Sequence, residues 1–233
     1  MATPGQLVDC VAAALNVSHA TVVLYDRVLA EKGLRSKGGR GKSAAKVTAE
    51  DAANLLIAIA GTPASGIGSA ASTVKQFTKL KYKEVKSDLL PVVLPDLLER
   101  GATAEQLEKW GLINEPKFLE IPGLDGLKAE HSFRDGLIAL IEAVRQRKVS
   151  FANAAADERS FAYIDLKGPS PLQGTISITL QGRRFTLARY ELSEKGAAWS
   201  DLHWRQTFSH RTIIAIAILL GLEDAGKSKS NVA

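Results

Sequence analysis

Residues 11–25 read VAAALNVSHATVVLY, and this stretch decides the reading of the N-terminal part of the chain. Two short apolar helical patterns flank Asn16-Val17-Ser18. Leu7, Val8, Val11 and Leu15 recur at helical spacing, which predicts a helix over 6–15. Ser18 is a good N-cap for a second helix over 19–31, and Gly33 suits its C-terminal stop. Asn16 stands where a sharp inter-helix turn needs a residue tolerant of the left-handed region. Ala12 is small enough for close helix approach, and Val17 and Val22 are placed to pin the two helices together. This is the spacing of a helix-turn-helix, whose second helix enters the DNA major groove by its N-terminal part.

Outward from that core, residues 36–43 are rich in glycine and lysine and fit neither a helix nor a regular strand. Thr48 and Asp51 then predict a capped third helix with Ala52, Leu55, Leu56 and Ile59 on its apolar side. From 32 to 46 the chain carries Lys32, Arg35, Lys37, Arg40, Lys42 and Lys46 with no acid, whereas 87–145 holds eleven acids and six bases. A net charge of +5 is therefore weighted toward the N-terminal third, as phosphate binding requires.

With this basic loop included, 6–61 resembles the winged helix-turn-helix of the MerR family. The resemblance rests on Val17-Ser18-x-x-Thr21-Val22, on Tyr25-Asp26 followed by Lys32-Gly33-Leu34, on the basic glycine-containing loop, and on Thr48-Ala-Glu-Asp51 with Leu55 and Ile59. It implies contacts to double-stranded DNA from Ser18, His19, Thr21 and Arg27 on the second helix and from Arg35, Lys37, Arg40, Lys42 and Lys46 in the wing. Five phosphate contacts from the wing correspond to a log–log salt slope of about −4 to −5. Val23 and Leu24 fall at DNA-facing positions, where apolar side chains read little except thymine methyls, so affinity shifts to the wing.

The remainder divides, on sequence, into a linker and helical region over 63–130, an α+β domain over 131–222 for dimerisation or effector sensing, and a disordered tail over 223–233. Residues 62–72 read as a linker, 75–86 as a polar basic helix or extended segment, and Thr103 as the cap of a short helix. Ser132 caps a predicted helix. Residues 161–166, 175–180 and 184–190 alternate as strands, with Gln181-Gly182-Arg183 as a hairpin turn. Ser209 caps a last apolar helix that Gly221 ends. The fold class is α+β: an N-terminal winged helix-turn-helix, helical linker region and C-terminal domain with a small antiparallel sheet.

Other chemistry has weaker support. Cys10 is the single cysteine among 233 residues, which excludes an internal disulfide and cysteine-based zinc sites and fits a cytoplasmic protein. No apolar run reaches the roughly 18 residues of a membrane span. Gly41-Lys42-Ser43 lacks the earlier glycine of a P-loop, with Ser36 in its place, and follows a helix where the motif needs a strand. His203 and His210, with Asp201, Trp204 and Arg205, are the only basis for a catalytic or metal site. The leading expectation is a non-enzymatic, homodimeric DNA-binding transcriptional regulator of bacterial or phage type, with no cofactor and an unidentified effector. A phage small-terminase-like packaging component, which forms a ring, is the alternative. A three-helix bundle docking on another protein through Val23 and Leu24 is a third reading.

Overall fold

The computed structural model describes residues 2–36, 46–62, 64–85, 90–109, 116–151, 159–169, 171–192 and 204–221. Helices and one antiparallel sheet share a core, so the architecture is α+β.

The first helix, α1 (Pro4–Leu15), starts two residues before the apolar periodicity does. Pro4 occupies the first turn, where its missing N–H costs nothing, and Thr3 with Gln6 closes a reciprocal capping box. Asn16 is left-handed at φ 52° and ψ 44°, and the N–H of Val17 reaches back to the Ala12 carbonyl at 3.0 Å. Ser18 then caps α2 (His19–Glu31) by accepting from the Thr21 N–H. Thr48 and Asp51 close a second capping box at the start of α3 (Ala49–Gly61).

The segment 62–72 is not a free linker. A short 3₁₀ turn (Ala64–Ser69) leads directly into α4 (Ala70–Phe77), which buries Ala70, Ala71, Val74 and Phe77. Its small residues are a packing surface. A Cβ at Gly61 would sit 2.8 Å from Thr73 Cγ2, so α3 and α4 approach too closely for any larger residue there. The basic stretch after it splits between the end of α4 and strand β1 (Lys81–Val85). Helices α5 (Leu90–Glu99) and α6 (Ala104–Lys109) follow, then a 3₁₀ turn at Phe118–Glu120 and α7 (Phe133–Arg145), capped by Ser132 and Asp135.

The sheet comprises β1, β2 (Phe161–Gly168), β3 (Gln173–Leu180), β4 (Arg183–Arg184), β5 (Leu187–Glu191) and β6 (Trp204–Ser209), all pairs antiparallel. Its order is β1-β5-β3-β2-β6, with β4 paired beside β3. Gln181 and Gly182, at φ 51° and 74°, make the expected turn. The expected strand 184–190 divides because Thr186 leaves the ladder: its N–H donates to the Pro116 carbonyl and its Oγ1 accepts from the Phe118 N–H. Strand β6 was not expected; Arg205-Gln206-Thr207 is polar on both faces, since the strand lies at the sheet edge. It passes straight into α8 (His210–Leu220), which Gly221 ends at φ 89°.

Period-2 alternation puts Ala162, Ile164 and Leu166 of β2 and Ile176 and Ile178 of β3 on the helix-covered face. Onto it pack α3, α7 and α8. Among the described residues, 2–36 and 46–62 have no core apart from this one. Helix α1 lies on α8, α3 lies on α7 and on β2, and one apolar cluster runs from Ala2 to Ala217.

Candidate nucleic-acid interface

The three N-terminal helices differ sharply in what they leave outside. Helix α3 is enclosed: Ala49, every residue from Asp51 to Ala58, and Gly61 are buried. Helix α2 buries a single stripe of Val22, Tyr25 and Leu29. His19, Ala20, Leu24, Arg27 and Glu31 are exposed on its other side. The spacing of Ala20, Leu24, Arg27 and Glu31 by three or four residues places them along one face. Leu24 is 45% exposed, a large apolar side chain facing solvent in the middle of that face.

At the start of α2, Ser18 Oγ and Thr21 Oγ1 are 2.7 Å apart, and the Thr21 N–H donates to Ser18 Oγ at 3.2 Å. Both hydroxyls are thus engaged in capping. His19 Nε2 lies 3.1 Å from Asp9 Oδ1 of α1, with both side chains well exposed. Such a surface pair contributes little to stability.

Arg35 occupies a different environment from the one expected of a phosphate contact. Its Nε is 2.8 Å from Asp26 Oδ1, with the two side chains 17% and 14% exposed. The pair is close, but the N–H does not point along the line to the oxygen, so the attraction is ionic rather than an aligned hydrogen bond. Arg35 Nη1 also donates to the Ser36 carbonyl at 2.9 Å. Burial raises the Asp26 carboxyl above its usual range; Arg35 opposes that shift and nearby Asp51 adds to it. Arg35 is therefore part of the protein's internal electrostatics, a correction to its placement in the wing.

Asp51 gathers both flanks of residues 37–45. Its Oδ1 accepts from the Ser36 N–H at 2.6 Å and its Oδ2 from the Ser36 hydroxyl at 2.9 Å. The same Oδ2 accepts from the Thr48 N–H at 2.8 Å and the Thr48 hydroxyl at 3.0 Å. One turn on, Asn54 Nδ2 donates to the Leu34 carbonyl at 2.8 Å. Val47 is anchored as well, buried and hydrogen-bonded through its N–H to the Ala2 carbonyl at 3.1 Å. A single buried carboxylate clasps the two ends of the basic segment against the N-terminus of α3. The sequence reading assigned Asp51 to capping alone; its spacing from Ser36 carries no local signal. Lys46, beside this clasp, is exposed. Lys37, Arg40 and Lys42 lie outside the described residues, as do Asp201, His203, Trp110, Trp199 and the tail over 223–233.

The other basic stretch is tied to the sheet. Lys81 Nζ donates to the Glu130 carbonyl at 3.3 Å, and Lys83 pairs with Glu191 across the β1–β5 ladder. His210 opens α8, and its Nδ1 accepts from the Ala162 N–H at 3.5 Å. Among the described residues, no three His, Cys, Asp or Glu side chains gather as a metal site would need. Among them also, no helix is long and apolar enough to cross a membrane.

No protein-family model matches the chain, and no solved structure matches it. A stretch of 79 residues, 34% of this chain, is 32% identical to a protein of Metallosphaera sedula named "Probable translation initiation factor IF-2". The chain spans 13% of that protein's length.

Proposed function

We propose that this chain is a sequence-specific DNA-binding regulator that lays α2 in the major groove and meets the neighbouring phosphates through the basic segment carrying Lys37, Arg40, Lys42 and Lys46. The observation that carries the reading is the contrast between α2 and α3. In a three-helix unit of this order, α3 is enclosed on nearly every side, while α2 offers a continuous outward face beginning at its N-terminus. Ser18, His19, Thr21 and Arg27 are the contacts assigned to that helix, with Thr21 acting through the cap it shares with Ser18. Lys37, Arg40, Lys42 and Lys46 supply phosphate contacts. Leu24 meets a thymine methyl.

The Asp51 clasp supports the wing assignment. It brings the two ends of the basic segment together beside α2, the geometry a wing needs to reach the duplex next to the recognition helix. A single such unit reads few base pairs, so the regulator acts as a homodimer on paired half-sites.

The test is fluorescence anisotropy with duplex DNA from upstream of the protein's own coding sequence, at two salt concentrations. Four wing cations give a salt slope of about −3.6, and Arg27 brings it to about −4.5. Arg40→Ala with Lys42→Ala weakens binding to all duplexes alike, and Arg27→Ala also changes sequence preference. Unchanged affinity in the double wing variant would refute the wing assignment. Light scattering that shows a ring instead of a dimer would favour a packaging component.

A further inference from the structure

Between the helix-turn-helix and the edge of the sheet lies a cavity of about 360 Å³. Val17, Thr21 and Tyr25 form one wall, the end of α3 at Thr62 the floor, and Trp204 and Gln206 of β6 the opposite wall. We propose that this cavity is a binding site for a compact, uncharged, largely apolar small molecule that carries one hydroxyl or carbonyl group.

Three observations support that chemistry. The volume falls within the range of natural ligand pockets, roughly 300–1,000 Å³. A cavity of roughly 150 Å³ accommodates one benzene ring, so this one takes a one- or two-ring molecule. Among the described residues no charged side chain lines it, so a ligand carrying a charge would be desolvated without a partner from them. Thr62 supplies the polar anchor. It is only 5% exposed, and its Oγ1 has no hydrogen-bond partner among the described residues. Its backbone is already held, since the Tyr25 hydroxyl donates to the Thr62 carbonyl at 3.1 Å. A buried hydroxyl left unpaired is costly; the oxygen is covered in this structure, so the side chain turns about χ1 to meet a ligand oxygen, which removes that cost. Gln206 is exposed at the sheet edge, which places the entrance beside β6.

The location gives the ligand leverage. It touches Thr21, one turn into α2, and the strand that leads into α8, so occupancy biases the seating of the outward-facing helix against the sheet. That regulatory consequence rests on the DNA-binding reading; the site itself does not, and is tested without DNA.

The experiment is isothermal titration of the full chain with 1-naphthol and 4-ethylphenol as neutral probes and 1-naphthoate as the charged counterpart. The wild type binds at least one neutral probe at one site per chain, and 1-naphthoate at least about tenfold more weakly. Thr62→Val keeps the shape and removes the hydroxyl, which lowers affinity about tenfold, the worth of one hydrogen bond. Ala60→Phe fills the cavity and abolishes binding; a thermal melt of each variant verifies that it is folded. Absence of saturable binding by both neutral probes overturns the proposal, as does unchanged affinity in folded Thr62→Val. A failure of DNA binding alone leaves these titrations unaffected, so the two readings fail separately.

Discussion

Gly136 lies inside α7, where glycine costs about 1 kcal/mol relative to alanine, so helix propensity alone makes Gly136→Ala stabilising. The structure predicts the opposite. A Cβ on Gly136 would overlap the Tyr190 hydroxyl and lie 3.1 Å from Tyr190 Cζ. That hydroxyl is committed: His131 Nδ1 is 2.7 Å from the Lys128 carbonyl, which can only accept, so the ring proton sits on Nδ1 and Nε2 accepts from Tyr190 at 2.9 Å. Moving the ring to admit a methyl overpacks the core, about 1–3 kcal/mol, and breaks the buried hydrogen bond, about 1–2 kcal/mol more. Against the propensity gain, the net destabilisation is about 1–4 kcal/mol. Tyr190→Phe alone leaves Nε2 unpaired and costs about 1–2 kcal/mol. In the double variant the overlapping hydroxyl and its hydrogen bond are already gone, and the remaining 3.1 Å contact with Cζ offsets the propensity gain, so the added methyl is nearly neutral and the total stays at about 1–2 kcal/mol. The cycle thus carries a favourable coupling of about 1–4 kcal/mol. For a chain of this size each kcal/mol moves Tm by about 2–4 °C, so calorimetry resolves the difference easily. Additive effects, within about 0.5 kcal/mol, would refute the account of Gly136 as room made for the Tyr190 hydroxyl.

Arg27→Ala and Arg35→Ala separate an interface arginine from an internal one: the first weakens DNA binding and leaves the Tm unchanged, while the second lowers the Tm by leaving half-buried Asp26 without its cation; a Tm loss in Arg27→Ala would reverse the assignment. Burial lowers the pKa of both His131 and His210 below the free value of 6.5. Because the unfolded chain then binds protons that the folded one resists, stability holds above about pH 6.5 and falls as the pH drops below it. Urea midpoints at pH 7.5 and pH 5 measure this fall, and His131→Phe flattens it; an unchanged slope would rule out His131 as its source. Gly174→Ala forces the Phe133 ring, whose nearest atoms lie 2.5 to 2.8 Å from the new Cβ, out of its place over β3, at a cost of about 1–3 kcal/mol read by denaturant melt.

Where local chemistry sets structure, the sequence was legible. Asn16 at the turn, Ser18, Thr48, Ser132 and Ser209 at helix starts, and Gly182 in the hairpin act within a few residues of themselves, and each occupies a position that suits it. Long-range partners were not legible. Nothing in 62–72 signals that its small residues form a helix-packing surface, and the polarity of Arg205 to Thr207 hides an edge strand. Arg35 looked like one more cation in a basic run because its partner, Asp26, lies in the preceding helix and is identified only by distance. Thr21 was read as a groove contact, and it also lines a cavity whose far wall comes from residues near the other end of the chain.

The clasp at Asp51 has a consequence for how this chain can vary. Both flanks of 37–45 are fastened to one carboxylate, so Ser36 and Thr48 are held side by side. The entropy of closing a loop grows slowly with its length, about 0.6 kcal/mol for each doubling. A change in the number of residues between the two held ends therefore costs little closure entropy. Such a stem behaves as an interchangeable socket, in which new specificity is acquired by replacing the insert while the scaffold stays as it is.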